Sequence, residues 1–345
     1  MNHCNRHLPR DRQLSGKTVV SALRATVRNL LLLFIYSLSI SVALAVEPLT
    51  VAVSQTPLSL PFYVAEKEGY FTAEGLQVKF NELIGGHRTL QQLLDGEADL
   101  ATSSEAVVMF NSFQRQDFAV IATFVSSDND VKVVTRQGSG VFRPEQLLGK
   151  RVATVVGAAS HYYLDTLLLL QGVDPHGVAL VNLPPEAMPA ALKKGEVDAL
   201  AIWEPFPFKA MHAVEGANVL KNSGTYVLTF NLLVHKKHVG VRDDDLVKFL
   251  RALDRAVHYI KAEPQAAQAI LRARLKLDPD FIDWIWPHYN YRLTLDQSLL
   301  VTLESEARWA RREGYVAARQ SPNYLDLIYT SPLRKASPGA VGIVN

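Results

Sequence analysis

Apolar runs at 49–53 (LTVAV), 118–124 (FAVIATF), 131–135 (VKVVT), 152–156 (VATVV) and 226–234 (YVLTFNLLV) punctuate the chain. Each is short and rich in β-branched residues, which predicts strands rather than helices. Between them, 60–68, 89–94, 161–171 and 187–194 carry apolar residues at helical spacing. Beyond 235 the pattern turns helical. Residues 243–262 set Leu246, Phe249, Leu250, Leu253, Val257 and Ile260 on one face, Pro264 opens a further helix, and 295–312 forms a long last one. Strands alternating with helices imply sheets covered by helices on both faces.

Two stretches echo each other at an offset of 99 residues. Leu94-Asp95-Gly96-Glu97-Ala98-Asp99-Leu100 and Lys193-Lys194-Gly195-Glu196-Val197-Asp198-Ala199 share Gly-Glu-x-Asp, and a later glutamate recurs at Glu105 and Glu204. In each copy a helix meets a glycine suited to a left-handed C-terminal turn, then an acidic turn, then an apolar strand. The repetition predicts an α/β fold of two lobes, each with a mixed, mostly parallel sheet flanked by helices. Lobe 1 takes 46–128 and 232–330, and lobe 2 takes 129–231. Crossings near 124–130 and 226–234 form a two-strand hinge. The tail, 331–345, with Pro332 and Pro338, reads as disordered.

Upstream, a basic stretch ending at Arg28 runs into an uncharged apolar segment, 30–44, and then Ala43-Leu44-Ala45. This is the pattern of a secretory signal peptide, 1–45, cleaved after Ala45. The other reading is a retained anchor, although the run is shorter than the roughly 20 residues of a spanning helix. This segment changes the charge picture. The chain holds 36 Lys+Arg against 34 Asp+Glu, but six cations and a single acid, Asp11, fall in the first 45 residues. The remaining body is mildly acidic, which speaks against a nucleic-acid partner. The lone cysteine, Cys4, leaves with the leader, so disulfides, cysteine–zinc sites and cysteine nucleophiles are excluded from the body.

Catalytic signals are sparse. The chain has no Gly-x-Ser-x-Gly elbow, no His-Glu-x-x-His and no phosphate loop. Ser160 beside His161 lacks a readable third partner, and Lys236 and Lys237 separate His235 from His238 with positive charge. No metal and no cofactor are expected. Binding signals are better, because in open α/β sheets ligands lie beyond the carboxyl ends of strands, where helix N-termini favour anions. Candidate contacts at those turns are Ser54, Thr56, Pro57 and Leu58; Gly85, Gly86, His87 and Arg88; Ser103, Ser104 and Glu105; Gly157, Ala158, Ser160, His161 and Tyr162; and Trp203 and Glu204. Each has a plainer reading. The serines suit helix caps, Arg88 a surface ion pair, Glu105 and Glu204 helix N-termini, and Trp203 packing between lobes.

Pro57-Leu58, Ala65-x-x-x-Gly69-Tyr70-Phe71-x-x-Glu74-Gly75-Leu76-x-Val78, Gly85-Gly86, the two Gly-Glu-x-Asp turns, Leu148-Gly149-Lys150-Arg151-Val152 and Trp203-Glu204-Pro205 follow one another in order. The series resembles the bacterial periplasmic solute-binding proteins of ABC transporters in the nitrate/sulfonate/taurine class, strongly over 48–235. The resemblance implies a type II periplasmic binding fold, hinge closure on a small organic anion, and delivery to an inner-membrane ABC permease by a monomeric, non-enzymatic protein. It also extends to the thiamine-pyrimidine-precursor-binding family. Phe62, Tyr63, Tyr162 and Trp203 would suit a flat ring there, whereas glycines, hydroxyls and Arg88 favour an oxyanion. A sensory module feeding a receptor or kinase would use the same cleft.

Overall fold

The computed structural model describes Met1, residues 47–221 and residues 226–343. The expected leader, its cleavage point and Cys4 lie outside the described residues. The chain divides into two units, Met1–Val46 and a body, Glu47–Asn345. All of the described strands and helices belong to the body.

The first lobe opens with β1 (Leu49–Ser54), a 3-10 turn (Pro57–Ser59), α1 (Leu60–Lys67) and α2 (Tyr70–Ala73). It continues through β2 (Val78–Leu83), α3 (Gly86–Leu94), β3 (Leu100–Ser104), α4 (Glu105–Ser112) and β4 (Phe118–Ser127). The second lobe runs through β5 (Val131–Thr135), β6 (Arg151–Thr154), α5 (Ala159–Leu170), β7 (Ala179–Asn182), α6 (Met188–Lys194), β8 (Ala199–Trp203), α7 (Phe206–Ala213) and β9 (Asn218–Val219). The chain returns along β10 (Leu228–His235). It finishes with α8 (Asp243–Ala262), α9 (Pro264–Leu275), α10 (Pro279–Ile285), β11 (Tyr289–Thr294), α11 (Gln297–Arg312) and α12 (Ser331–Ala336).

Two sheets result, ordered β11-β4-β10-β3-β1-β2 and β7-β6-β8-β5-β9. Between the named strands, parallel pairing is confined to β1 with β2 and β3, and to β6 with β7 and β8. The expected predominance of parallel pairs therefore does not hold among the described residues. β4, β5 and β10 carry the chain between lobes, and β10 runs antiparallel to β3 and β4, as β5 does to β8 and β9.

The echo is a repeated hydrogen-bonding device. Gly96 and Gly195 both take left-handed φ, at 79° and 71°. In the first copy Gly96 N–H donates to Leu93 and Glu97 N–H to Gln92, and in the second Gly195 donates to Leu192 and Glu196 to Ala191. These pairs satisfy the last carbonyls of α3 and α6. The aspartate then ties the turn to the start of a parallel strand in its own lobe, β1 or β6. Asp99 N–H donates to Thr50 O while Asp99 Oδ2 accepts from Thr50 N–H at 2.9 Å, and Asp198 repeats both bonds with Arg151, the second at 3.1 Å.

Behind the first sheet, Phe62 packs edge-on against Phe124 at 4.8 Å between ring centroids, and Phe71 stacks on Phe249 at 4.8 Å. α8 starts with Asp243, Asp244 and Asp245 at its positive end and buries one apolar face from Leu246 to Ile260. The tail expected to be disordered is folded as far as Ile343. Pro332 sits at the start of α12, where a missing N–H costs nothing, and Leu333 and Ile343 are buried. Leu295 N–H donates to Ala340 O and Gly342 N–H to Leu295 O, which fastens the segment to the strand end before α11.

Candidate functional site

Residues from both lobes and from the crossing strands enclose one narrow cavity. It is lined by Ser54, Thr56, Leu58, Gly86, His87, Ser104, Val107, Asp130, Ala158, Ala159, Trp203, Leu228 and Phe230. The placement follows from local structure. Ser54 ends β1 and Thr56 caps the 3-10 turn after it. Gly86 and His87 open α3, Ser104 caps α4, and Ala158 and Ala159 open α5. Three helices thus begin at the cavity, each with first-turn N–H groups that have no partner within the helix. Their dipoles favour negative charge there. Trp203 supplies a wall at the end of β8, and its ring centroid lies 6.3 Å from that of His87.

The charged groups nearby are buried. Lys132 Nζ lies 2.9 Å from Glu204 Oε1, with both side chains almost fully enclosed. The same oxygen accepts from Trp284 Nε1 at 2.7 Å, and Glu204 Oε2 accepts from Phe208 N–H at 3.2 Å. Asp130 Oδ1 accepts from the Tyr289 hydroxyl. Burial, with Glu204 adding to it, pushes the Asp130 carboxyl up to about 7 against the opposing pull of Tyr289 and Lys132. Burial, and next Arg88, hold the His87 imidazole below its usual range, so it is neutral at pH 7. Among the described residues no group of three or more His, Cys, Asp or Glu is placed to hold a metal ion.

Of the sequence-expected contacts, Ser54, Thr56, Leu58, Gly86, His87, Ser104, Ala158 and Trp203 line the cavity. The others lie outside that lining and make contacts within the fold. Phe62 belongs to the aromatic core. Pro57 offers its carbonyl to Tyr291 at 2.9 Å. Gly85 takes φ 91° ahead of α3. Arg88 pairs with Glu186 of the second lobe at 3.0 Å, with both side chains partly exposed, so its charge is turned to the facing lobe. The Ser103 hydroxyl donates to Gly86 O, and Ser160 is held by Thr154 at 2.9 Å. Glu105 accepts from Thr229 N–H and Oγ1 and from the Tyr226 hydroxyl. Gly157 N–H reaches His161 Nδ1 at 3.4 Å, and the ring of His161 lies against Trp309 and Tyr315. Burial pushes that imidazole down to about 4. Tyr162 packs edge-on against Tyr226 and Trp309.

Val107, Asp130, Ala159, Leu228 and Phe230 line the cavity without having been expected. Asp130 lies in the link between β4 and β5, and Leu228 and Phe230 lie on β10. Both places belong to strands that cross between lobes and not to strand-to-helix turns. The signal available was the polar link Ser127-Asp128-Asn129-Asp130 between two strongly apolar runs.

Comparison with known proteins agrees with this architecture. The chain is 26% identical over 175 residues to the taurine-binding periplasmic protein of Escherichia coli (strain K12), covering 50% of this chain and 53% of that protein. It is 26% identical over 208 residues to a putative aliphatic sulfonates-binding protein of Bacillus subtilis (strain 168), covering 58% and 62%. The chain thus spans little more than half the length of these relatives. The alkanesulfonate-binding protein SsuA from Xanthomonas axonopodis pv. citri, solved bound to MOPS, shares the fold. Its TM-score is 0.74 at 17% identity, over 82% of this chain and 98% of that one. Residues 56–267, more than half of the sequence, match the family described as NMT1/THI5 like, and the chain belongs to that family.

Proposed function

We propose that the chain is the solute-binding component of an ABC importer, closing two lobes around a small organic anion without making or breaking a bond. The observation that carries this reading is the convergence of three helix starts, α3, α4 and α5, from both lobes on one narrow cavity. Serine and threonine hydroxyls and a neutral imidazole lie beside those helix starts, which suits a sulfonate-type head in a water-poor site. The relatives named for taurine and aliphatic sulfonates support the same class. On this reading residues 1–45 direct export and are cleaved after Ala45, lobe 1 is built from 46–128 and 232–330, and lobe 2 from 129–231. The links around 124–130 and 226–234 act as hinges. The protein works as a monomer in the periplasm and hands its ligand to an inner-membrane permease.

A second reading, a pyrimidine precursor, is favoured by the aromatic walls Trp203 and Phe230. The test is a thermal-shift and calorimetric panel of alkanesulfonates, taurine, nitrate, carboxylates and pyrimidines on protein exported with its own leader. A ligand present at 100 times its Kd stabilises the folded state by about 2.7 kcal/mol. Absence of any shift at millimolar concentration sinks the binding reading, and a shift with pyrimidines alone replaces the anion.

A further inference from the structure

The cavity has a second pole. Asp130 is 1% exposed and lies on the lining, and its Oδ1 is engaged by the Tyr289 hydroxyl. Its Oδ2 is buried without a hydrogen-bond partner. A buried carboxylate oxygen left unpaired is costly, so such an atom in a ligand cavity marks where a donor belongs. The surroundings do not supply that donor. Lys132, the nearby cation, sits at 2.9 Å from Glu204. Glu204 adds negative charge, the Glu105 carboxyl is pushed up to about 8 by burial, and the remaining titratable neighbours, Tyr289 and Tyr291, are phenols kept neutral by burial. Two carboxylates, Asp130 and Glu204, therefore share one buried cation, which leaves a single negative charge uncompensated beside a cavity whose other end gathers helix N-termini.

We propose that the ligand is two-ended: its anionic head lies at the starts of α3, α4 and α5, and a protonated amine or amino N–H donates to Asp130 Oδ2. This rests on the cavity being the ligand site and names the class of molecule it takes. Asp130 is then a binding residue that separates aminated ligands from plain anions, since an unaminated ligand of the same length leaves the carboxylate unpaired and carries it deeper from water. The carboxyl, pushed up to about 7 chiefly by burial, would be held ionised by the arriving cation.

The experiment compares two matched pairs by calorimetry on the exported protein: 2-aminoethanesulfonate against ethanesulfonate, and 4-amino-2-methylpyrimidine against 2-methylpyrimidine. The aminated sulfonate is expected to bind tenfold or more tightly than ethanesulfonate, and the pyrimidines, which lack an anionic head, to bind more weakly than 2-aminoethanesulfonate. In Asp130→Asn, which keeps an acceptor for Tyr289, the tenfold preference is expected to fall below threefold. Equal binding within every pair that binds overturns the inference and leaves the organic-anion reading standing. Preference confined to the pyrimidine pair, with both sulfonates inert, overturns the two-ended ligand and the organic-anion reading with it. No binding by any of the four overturns both. If Asp130→Asn does not fold, the wild-type comparison decides, and an undiminished tenfold preference in a folded Asp130→Asn overturns the assignment to this residue.

Discussion

A Cβ added at Gly86 would lie 2.9 Å from both the Cα and the Oγ of Ser103. The glycine is needed because α3 starts against the backbone of β3, whether or not a ligand is present. Ser103 and Ser104 divide their work by strand alternation: one hydroxyl points back to Gly86 O at 2.9 Å, the other to the cap of α4 at the cavity. Gly86→Ala is therefore expected to lower stability by about 1–3 kcal/mol, as forced overpacking does. The loss should appear in the denaturant midpoint of ligand-free protein. A variant of unchanged stability with weakened ligand binding would instead show that the glycine matters only for approach of the ligand. The sequence pattern could place Gly86 at a helix start but could not tell the two needs apart, because the atom it avoids belongs to a residue 17 positions away.

At the scale of elements, the two Gly-Glu-x-Asp turns do the same mechanical job in different lobes. Each aspartate receives the N–H of a residue at the start of a central strand, Thr50 or Arg151, and each has further partners: Asp99 lies 2.9 Å from His238 Nε2 and pairs with Arg242, and Asp198 pairs with Arg136 and Arg151. Removing the carboxylate leaves a strand N–H without its partner, which costs about 1–3 kcal/mol. Asp99→Ala and Asp198→Ala are expected to lose comparable stability and, sharing no partners, to add in the double variant within about 0.5 kcal/mol. Ligand affinity should stay within about twofold of the parent in each. A strongly non-additive double variant would show that the lobes are coupled through these turns. These turns were legible in the sequence because their chemistry is local. So were β1, β3, β4, β5, β6, β8 and β10, which have strands on both sides and read as apolar runs. The strands that escaped, β2, β7, β9 and β11, all lie at sheet edges. β2 (VKFNEL) is only partly buried throughout and β7 is half exposed, so neither carries a continuous apolar signal. Asp130 escaped for a different reason, since its burial and its company are made by three crossing or edge strands that meet only in three dimensions.

Across the whole molecule, the C-terminal helices reach from the first lobe to the second. Trp309 Nε1 and the Tyr315 hydroxyl both donate to Asp165 Oδ2 on α5, at 3.2 and 2.9 Å, while Trp284 reaches Glu204 after β8. The same α11 brings Glu306 into this interface fully buried, with neither carboxylate oxygen hydrogen-bonded, near Glu105, Tyr162 and Tyr324. Burial first, and Glu105 second, raise the Glu306 carboxyl well above its usual range. Glu105 itself is pushed up to about 8, chiefly by burial. The sign follows from linkage. A carboxyl whose folded pKa is raised contributes stability that is complete below its unfolded pKa, near 4.5, and is lost as pH climbs toward the folded value. His161 works the other way: its imidazole is pushed down by burial, so its contribution is present above about 6.5 and lost as pH falls toward 4. Because the two windows overlap, the pH profile of the parent protein alone does not separate them, but a single substitution does. Glu306→Gln keeps the shape of the side chain and abolishes its proton uptake. Any penalty from burying the amide is the same at every pH, whereas the parent's penalty grows by up to roughly 1.4 kcal/mol per pH unit. The stability of Glu306→Gln relative to the parent is therefore expected to rise steadily from pH 5 to pH 8, measured by denaturant unfolding at each pH. A difference that stays flat over that range would mean that Glu306 is not held protonated at the interface, and that the lobes meet there with its charge compensated.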